Sequence, residues 1–302
     1  MVRTRRNVPG TAVVPPGPSP VDLHAHTTRS DGVMEPAALV AAAYAVGVRT
    51  FAITDHDNLA APRELAATRG AIPDGMDLIP GIEINTVTEN DPRAWRGELH
   101  LLGLGVDLSN DGLEAVLNLQ REHRRHRYEQ TLRQLRLAGL SVDDVAAALP
   151  ADERAALGRP TVGRLLVAKG YASSVDDAFA RLIGYGMPGY VPRDGIGPVE
   201  AIAVIRAARG IAVLAHTADA ADRIAPIREL REQGLRGIEV HYRRYDAETV
   251  VSVGIVAKAL GLVPTGGTDY HGDRETYAEA HASTWVPSED ADAVRAALAT
   301  GA

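Results

Sequence analysis

The sequence predicts an α/β fold in which seven strands, connected mostly by helices, close into a barrel. Short apolar runs alternate with longer segments rich in alanine and leucine, and this order favours a parallel sheet with crossover helices. Side chains able to bind metal ions lie in or just after most of these runs, and barrel enzymes place their chemistry at the ends of strands. A doubly wound open sheet is the alternative, but it would gather such residues at a single crevice.

The predicted strands are residues 21–23, 50–53, 78–84, 98–104, 211–215, 237–240 and 262–265. The helices predicted between them are residues 36–46, 198–208, 222–233 and 247–260. Pro36 and Pro198 suit the first turn of a helix. Gly47, Gly234 and Gly261 suit the position just after a helix. Each predicted helix therefore has a signal for its beginning or its end.

Residues 113–189 interrupt the alternation of strands and helices. This stretch contains no convincing strand, and helical patterns cover residues 113–137, 142–149, 162–168 and 175–183. We expect a helical insertion that caps the mouth of the barrel. The barrel is then formed by residues 21–112 and 190–302, and residues 1–20 form a flexible, proline-rich segment.

The composition limits the chemistry and the environment of the protein. The chain has 302 residues, of which 45% are hydrophobic, and its net charge of −7 disfavours a surface that coats nucleic acid. It contains no cysteine, so metal ligands must be nitrogen or oxygen atoms, which agrees with a cytoplasmic protein. No apolar run is long enough to span a bilayer, and the N-terminal residues make a poor signal peptide. We expect no membrane association and no obligate protein partner.

Nine side chains of metal-ligating type are the most informative residues of the chain. They are His24 and His26 in DLHAHT, Asp31 in SDG, His56 in TDHD, Glu83 in GIE, His100 in ELHLLG, His216 in VLAHT, and Asp269 and His271 in GTDYHG. Six of the ten histidines belong to this set. Imidazole and carboxylate together suit zinc, manganese and iron. Nine ligands are too many for one ion, but they are enough for two or three divalent ions if one carboxylate bridges.

This ordered set of motifs resembles the PHP (polymerase and histidinol phosphatase) family of metal-dependent phosphoesterases. The matching motifs run from about residue 21 to 106 and from about 210 to 272. The helical segment and the GRP turn at 158–160 are similar to one subgroup, which includes nucleoside 3',5'-bisphosphate phosphatases and 5'-to-3' RNA exonucleases. The resemblance implies a distorted seven-stranded (β/α)7 barrel that holds up to three ions.

The resemblance also implies how the ligands are shared. The first ion would be held by His24, His26, Glu83 and Asp269, the second by Asp31, His56 and His271, and the third by Glu83, His100 and His216. Glu83 would bridge two of the ions. Many relatives have histidine where this chain has Asp31, but the phosphatase subgroup often has aspartate there. A water bound by the ions is the expected nucleophile, acting with Glu83, Asp269 and His216.

Three arginines are candidates for binding the substrate. Arg159 in the GRP turn has the guanidinium geometry for a phosphate, and a solvated turn residue is the alternative. Arg193 in GYVPRDG lines the site mouth or a surface turn, and Arg124 in REHRRHR belongs to a basic rim or to a solvated helix face. Thr161 stands where relatives usually have histidine, which leaves the substrate preference open. Asp57, beside a ligand histidine, either orients that ligand or caps its loop.

Glu239 and His241 are two residues apart, which places them on one face of an extended chain. Either both lie at the mouth of the barrel near the ions, or they form a hydrogen-bonded pair in the core. The second interpretation is favoured for His241, because buried polar groups usually have hydrogen-bond partners.

The predicted function is hydrolysis of a phosphate monoester of a small nucleotide. The resemblance to the phosphatase subgroup implies that the favoured substrate is a nucleoside 3',5'-bisphosphate, which would lose its 3'-phosphate through attack by a metal-bound hydroxide. A 5'-to-3' exonuclease acting on short RNA is the first alternative. A histidinol-phosphate-type phosphatase is the second, and a metal-stabilised module without catalytic activity is the third. The expected partner is therefore a small phosphorylated nucleotide or a short RNA.

Overall fold

The structure is a computed structural model, and it describes residues 17–88, 95, 98–147, 157–272 and 275–301. Within them the strands are β1 (Val21–Asp22), β2 (Thr50–Phe51), β3 (Asp77–Leu78), β4 (Gly81–Val87), β5 (Glu98–Leu104), β6 (Ile211–Leu214), β7 (Gly237–Tyr242) and β8 (Val263–Gly267). The helices before β6 are α1 (Pro36–Ala45), α2 (Ala60–Ala67), α3 (Asp111–Leu137), α4 (Asp143–Ala146), α5 (Arg159–Ala168), α6 (Val175–Ala178) and α7 (Pro198–Ala207). The later helices are α8 (Ile224–Glu232), α9 (Ala247–Leu260), α10 (Tyr277–Ala282) and α11 (Ser288–Ala299).

The described strands form two sheets, and helices pack around them in a mixed α/β architecture. One sheet has three parallel strands in the order β1-β2-β3, and the other has five strands in the order β4-β5-β6-β7-β8. β5 is antiparallel to both of its neighbours, so the prediction of a uniformly parallel sheet is wrong at this strand. Residues 88–97 connect β4 to β5, and they are fewer than the roughly dozen residues that a parallel crossover needs.

Backbone hydrogen bonds connect the two sheets at two places. On one side, the amide of Leu23 donates to Gly266 at 3.0 Å and the amide of Asp269 donates to His24 at 2.6 Å. On the other side, the chain beyond β2 pairs with β4, where the amide of Asp57 donates to the carbonyl oxygen of a β4 residue at 2.9 Å. Segments that carry predicted metal ligands are therefore held together by main-chain bonds.

The predicted strand 78–84 is divided in the structure. It covers the end of β3 and the beginning of β4, and Pro80 lies between them. Proline has no N–H group for the ladder, which explains the interruption. The sequence interpretation also missed α2, α10 and α11, although Thr276 and Glu279 form a capping box at the start of α10 that can be read in the sequence.

Helices fill the chain between β5 and β6 in the described residues, as the sequence predicts for most of this stretch. α3 begins after Asn110, whose side chain accepts a hydrogen bond of 2.8 Å from the amide of Leu113. The predicted helix 142–149 is present as Asp143–Ala146, and its residues 148 and 149 lie outside the described chain. α3 and α5 share a small core with the helical turn at 179–183, which includes Leu135 and Leu166. The residue boundaries predicted for the insertion stay a prediction.

Most of the predicted flexible segment, residues 1–16, lies outside the described chain. Ser19, near the end of that segment, is buried, and its hydroxyl donates to the carbonyl oxygen of Val21 at 2.7 Å. Across the described residues, no helix combines the length and the apolarity that crossing a membrane requires.

Candidate metal centre and substrate cavity

The structure brings all nine predicted ligands together. Seven of them follow strands: His24, His26 and Asp31 come after β1, His56 after β2, His216 after β6, and Asp269 and His271 after β8. Glu83 and His100 lie inside β4 and β5 instead, which differs from the expectation that ligands follow strand ends. His100 is near the beginning of β5, and because that strand is antiparallel, its beginning lies beside the end of β6.

The carboxylate of Glu83 is the centre of this cluster. It is fully buried, and histidine nitrogens contact both of its oxygens. Its Oε2 atom lies 3.3 Å from His24 Nε2, 3.1 Å from His26 Nε2 and 3.1 Å from His56 Nδ1. Its Oε1 atom lies 2.8 Å from His100 Nδ1 and 3.2 Å from His216 Nε2. A carboxylate with different imidazoles on each oxygen has the arrangement of a ligand shared by two ions.

The potential ligand atoms form three overlapping groups. The groups are His24, His26, Glu83 and Asp269; His26, Asp31, His56 and His271; and His56, Glu83 and His100. The first group has the members predicted for the first ion, and the second contains all the members predicted for the second. The third has His56 where the prediction has His216, but His216 Nε2 lies 3.1 Å from His100 Nδ1. The assignment of ligands to ions stays a prediction.

Buried polar atoms without hydrogen bonds indicate that the cluster fits metal ions. His26 Nε2, His56 Nδ1 and both carboxylate oxygens of Asp31 are buried and make no hydrogen bond among the described residues. Buried polar atoms are almost always satisfied in folded proteins, and bound ions would satisfy these. The donors are nitrogen and carboxylate oxygen, which suit zinc, manganese or iron.

The charges of the cluster shift the pKa values of its members in opposite directions. Burial raises the pKa of Glu83, but nearby histidines, His56 first, outweigh it and hold the pKa well below its usual range. Burial lowers the pKa of His26, but contacts with Asp269 and Glu83 raise it to about 10. Burial likewise lowers the pKa of His24, but nearby carboxylates outweigh it and raise the pKa well above its usual value. A divalent ion would displace the protons from these histidines.

Glu239 on β7 orients two of the ligands. It is fully buried, its Oε1 atom lies 3.0 Å from His24 Nδ1, and its Oε2 atom accepts a 2.8 Å hydrogen bond from the amide of His216. His241 instead lies 3.3 Å from Oδ2 of Asp290, so the interpretation of Glu239 and His241 as a pair is wrong. The signal for Glu239 in the sequence is an acidic residue inside an apolar strand, GIEVHY, which matches the GIE pattern of β4.

Tyr242, at the end of β7, is a further contact of the cluster. Its hydroxyl donates a 2.8 Å hydrogen bond to Oδ2 of Asp269. Burial and the charge of Asp269 raise the pKa of this hydroxyl, so it stays protonated and keeps donating. The bond leaves Oδ1 of Asp269 facing His24 and His26, at 3.3 Å and 3.2 Å.

Three residues of the site have backbone conformations that L-amino acids rarely adopt. The φ angles of Asp57, His216 and Asp269 are 50°, 32° and 47°. Among the described non-glycine residues, only Arg209 also has a positive φ angle. Strain of this kind collects at functional sites, where it costs about 1–3 kcal/mol per residue.

A cavity of about 430 Å³ opens beside the cluster, between the strand ends and the helices that lie between β5 and β6. Its floor contains the predicted ligands Asp31, His56, Glu83, His100, His216, Asp269 and His271. These helices and the helical turn at 179–183 supply apolar and aromatic walls, among them Tyr128, Pro160, Val162, Val175 and Phe179. The three predicted substrate residues Arg124, Arg159 and Arg193 all line the cavity. Thr161 is buried in the first turn of α5 and is absent from the described cavity lining.

The candidate arginines are held by carboxylates. Arg124 Nε and Arg193 Nη2 both donate to Oδ2 of Asp57, at 2.5 Å and 3.0 Å. Arg159 Nη2 donates to Oε1 of Glu98 at 3.1 Å. Arg124 and Arg193 are each 6% exposed, so the alternatives of a solvated helix face and a surface turn are wrong for them. Asp57 therefore serves as the counter-ion of two arginines, which neither sequence interpretation of this residue included.

Arg127 is a further cavity residue that the sequence interpretation missed. It lies on α3, and its Nη1 atom donates to Oε1 of Glu98 at 2.6 Å. Its Nη2 atom and the Nε atom of Arg193 are buried without a hydrogen bond among the described residues. Burial and the nearby Arg124 lower the pKa of Arg193 to about 10, so its guanidinium is still charged at neutral pH. This part of the cavity can accept an anion.

The GRP turn has glycine at position 158, where the backbone lies close to the metal-ligand cluster. A β-carbon at Gly158 would lie 3.1 Å from Oδ2 of Asp31 and 3.2 Å from Nη1 of Arg124. Contacts this short would displace a predicted ligand and an arginine together. The turn thereby places Arg159 at the edge of the cavity.

Comparison with known proteins agrees with this geometry. Residues 22–141 match the PHP domain. The 5'-3' exoribonuclease Rnm of Escherichia coli is 39% identical over 201 residues, covering 65% of this chain and 64% of that relative. The 3',5'-nucleoside bisphosphate phosphatase of Chromobacterium violaceum is 29% identical over 262 residues, covering 84% of this chain and 88% of that relative.

Solved structures support the same relationship. A structure from Bifidobacterium adolescentis, described as a candidate metal-dependent phosphoesterase, superimposes with a TM-score of 0.78 and 28% identity, covering 91% of this chain and 95% of that one. The fold is therefore similar to that of a protein described as a metal-dependent phosphoesterase. The chain belongs to the PHP domain family, which confirms the family predicted from the motifs. It spans less than two thirds of the length of the Escherichia coli relative.

Proposed function

We propose that the protein hydrolyses the phosphate monoester of a small nucleotide, with a nucleoside 3',5'-bisphosphate losing its 3'-phosphate as the favoured reaction. The observation that carries this proposal is the contact of Glu83 with five histidines beside a cavity that also contains arginines. Such a cavity can hold a phosphate at the cluster and a second phosphate at the arginines. The name of the Chromobacterium violaceum relative supports the same substrate class.

The residues of the cluster would hold two or three divalent ions. When bound, the ions would supply the positive charge and the activated water that phosphate-ester hydrolysis needs. Glu83, Asp269 and His216 are the residues we assign to the reacting phosphate. Glu239 would keep His24 and the His216 backbone in place, since it bonds to both. We propose manganese, iron or zinc as the ions.

The rest of the cavity suits the remainder of a nucleotide. Arg127, Arg159 and Arg193 would bind the second phosphate, because guanidinium groups pair with phosphate through two parallel hydrogen bonds. The aromatic ring of Phe179 lies 5.4 Å from the guanidinium carbon of Arg159, so a base entering beside them would meet a flat, partly apolar surface. A volume of about 430 Å³ lies in the usual range for small-molecule pockets.

The two sheets and the helices between β5 and β6 can together form the site for this reaction. We propose that the two sheets act as a distorted seven-stranded barrel, since backbone hydrogen bonds join β1 to β8 and the chain beyond β2 to β4. We also propose that residues 113–189 form a cap over it. The support is that α3 and α5 supply Arg124, Arg127 and Arg159 to the cavity.

A 5'-to-3' exonuclease is the second candidate function, and one observation favours it. Arg244 lies just after β7, lines the cavity and is exposed, and it forms no ion pair among the described residues. An exposed arginine at the cavity mouth suits a chain of further nucleotides. The Escherichia coli relative bears the name of such an enzyme.

Phosphate release from a matched panel tests the proposal. The metal-reconstituted protein would be given adenosine 3',5'-bisphosphate, 3'-AMP, histidinol phosphate and a short 5'-phosphorylated RNA, each with and without chelator. We expect chelator-sensitive turnover with a kcat/KM at least about tenfold higher for the bisphosphate than for 3'-AMP, since a second phosphate adds about 1.4 kcal/mol or more. The Glu83→Ala variant, purified in parallel, controls for contaminating phosphatases.

Each other outcome has a defined meaning. Preference for the RNA, with nucleotide release followed in the same samples, would assign the protein to the exonucleases. Absence of turnover with manganese, iron and zinc would overturn the proposal for all four substrates.

A further inference from the structure

Glu98 lies between a predicted metal ligand and the arginines of the cavity. It is the first residue of β5, two positions before His100. Its Oε1 atom accepts hydrogen bonds from Arg127 at 2.6 Å and from Arg159 at 3.1 Å. Its Oε2 atom lies 3.8 Å from His100 Nε2. The carboxylate is therefore shared between one imidazole and two guanidinium groups.

The side chain of Asn85 limits the protonation of His100. Arg124 donates to Oδ1 of Asn85, and a guanidinium can only donate, so this amide orientation is fixed by the network. The amide nitrogen of Asn85 then faces His100 Nε2 at 2.6 Å. An amide nitrogen is also only a donor, so Nε2 must accept and the ring proton lies on Nδ1, towards Glu83.

Metal binding reverses this arrangement. An ion beside Glu83 would take the lone pair of His100 Nδ1, and the ring proton would then be on Nε2. That proton would point at the amide nitrogen of Asn85, which cannot accept a hydrogen bond. Within the described residues around His100 Nε2, the available carboxylate is that of Glu98, 3.8 Å away. Ligand histidines usually donate their second N–H to a carboxylate or a carbonyl.

We propose that Glu98 is a positioning residue that accepts the Nε2 proton of His100 when Nδ1 binds a metal ion. Its carboxylate has to shift by about one ångström to shorten a 3.8 Å separation to a hydrogen bond. Arg127 and Arg159 hold the other oxygen in the structure. A phosphate that engages these arginines weakens their hold on Glu98 and favours the shift towards His100.

One consequence for substrate binding rests on the proposed function. If the second phosphate of a bisphosphate binds at Arg127 and Arg159, it strengthens the binding of the ion at His100, and by linkage the ion strengthens the binding of that phosphate. The effect of Glu98 on metal affinity does not rest on the proposed function, and it holds for any substrate of the site.

Metal affinity of the Glu98→Ala variant tests the proposal without any activity assay. The wild-type protein and the variant would be titrated with manganese, and bound ions would be counted after gel filtration. We expect the most weakly bound ion of the wild type to bind about 10–100-fold more weakly in the variant. Glu275→Ala is the matched control, since Glu275 lines the same cavity and pairs with Arg243 rather than with a histidine. The control should keep wild-type affinities.

A rescue experiment separates this role from a general structural one. Asn85→Asp places a carboxylate beside His100 Nε2, so the double variant Glu98→Ala, Asn85→Asp should regain the lost affinity. Unchanged affinities in Glu98→Ala would overturn the proposal. A loss of metal affinity that Asn85→Asp does not restore would overturn the proposal as well. The loss would then come from Arg127 and Arg159, which Glu98→Ala leaves without their carboxylate.

A third measurement distinguishes this proposal from the proposed function. Adenosine 3',5'-bisphosphate should tighten manganese binding to the wild type more than 3'-AMP does, and Glu98→Ala should abolish the difference. Equal effects of both nucleotides, with the affinity loss of Glu98→Ala intact, would contradict the second-phosphate site and leave the role of Glu98 at His100 standing.

Discussion

Arg193 donates a hydrogen bond of 3.0 Å to the carboxylate of Asp57, although 136 positions separate the two residues in the sequence. Asp57 follows the predicted ligand His56, and Arg193 begins the return from the helical insertion to the strands. Both side chains are buried, at 0% and 6% exposure. Removing one partner of such a pair leaves an uncompensated charge. The bond therefore joins the loop that carries His56 to the segment that precedes α7.

Glu83→Ala should remove metal ions and activity together. The carboxylate contacts nitrogens of five histidines, so its loss affects every group of ligands that it joins. We expect kcat/KM to fall at least about 1,000-fold, which corresponds to about 4 kcal/mol of transition-state stabilisation. Metal analysis and kinetics on the same preparation would check this result. Retained turnover, or a full complement of ions, would rule out the bridging assignment.

Arg159→Ala should weaken the binding of a bisphosphate more than that of a simple ester. A charge-assisted hydrogen bond contributes about 1.5–3 kcal/mol, so KM for adenosine 3',5'-bisphosphate should rise about 10–100-fold. KM for an aryl phosphate, which has no second phosphate, should change little. Arg181→Ala is the matched control, because Arg181 is an exposed arginine of the same insertion and pairs with Asp177. Equal effects on both substrates would remove Arg159 from substrate recognition.

Gly158→Ala should damage the site without a general effect on helix formation. The new methyl group would meet Asp31 at 3.1 Å and Arg124 at 3.2 Å, and overpacking of this kind costs about 1–3 kcal/mol. We expect kcat/KM to fall about 5–100-fold. Gly197→Ala is the control, since Gly197 also precedes a helix that has proline in its first turn, and a β-carbon there meets nothing within 4 Å. Equal losses in both variants would indicate a capping effect instead.

Metal uptake should release protons and strengthen as the pH rises. The pKa of His26 is raised to about 10, so its ring is positively charged at pH 7 before an ion displaces the proton. Nearby carboxylates raise the pKa of His24 in the same direction. Raising the pH from 7 towards 10 removes the competing proton from His26, and the apparent affinity should increase. Titration calorimetry in two buffers of different ionisation enthalpy measures the released protons. Metal uptake without proton release at pH 7 would contradict these pKa shifts.

The sequence predicts much of the metal centre because its motifs are local. Pairs such as His24 and His26 are two residues apart, and their spacing places them on one side of an extended chain. The order of apolar runs and helices predicts the mixed α/β class for the same reason. The direction of β5 was not predictable from composition, since an apolar run has the same pattern in either direction.

The environment of the arginines depends on contacts between distant segments. Arg124 and Arg127 belong to a charged run that ordinarily indicates a solvated helix face. They are buried because Asp57 and Glu98, from other parts of the chain, neutralise them. Glu98 itself has no distinguishing pattern in the sequence, and its importance comes only from the three-dimensional arrangement around His100.

The positive φ angles of His216 and Asp269 place two predicted metal ligands in backbone conformations that cost stability. Glycine adopts such angles without strain, and the other residues do not. A library of variants that is selected for heat resistance alone should therefore accumulate glycine at these two positions and lose its ions. Asp57 should be kept, although its φ angle is also positive, because it neutralises two buried arginines. Selection for turnover should restore His216 and Asp269. Heat resistance and metal chemistry thus make opposite demands on these two residues.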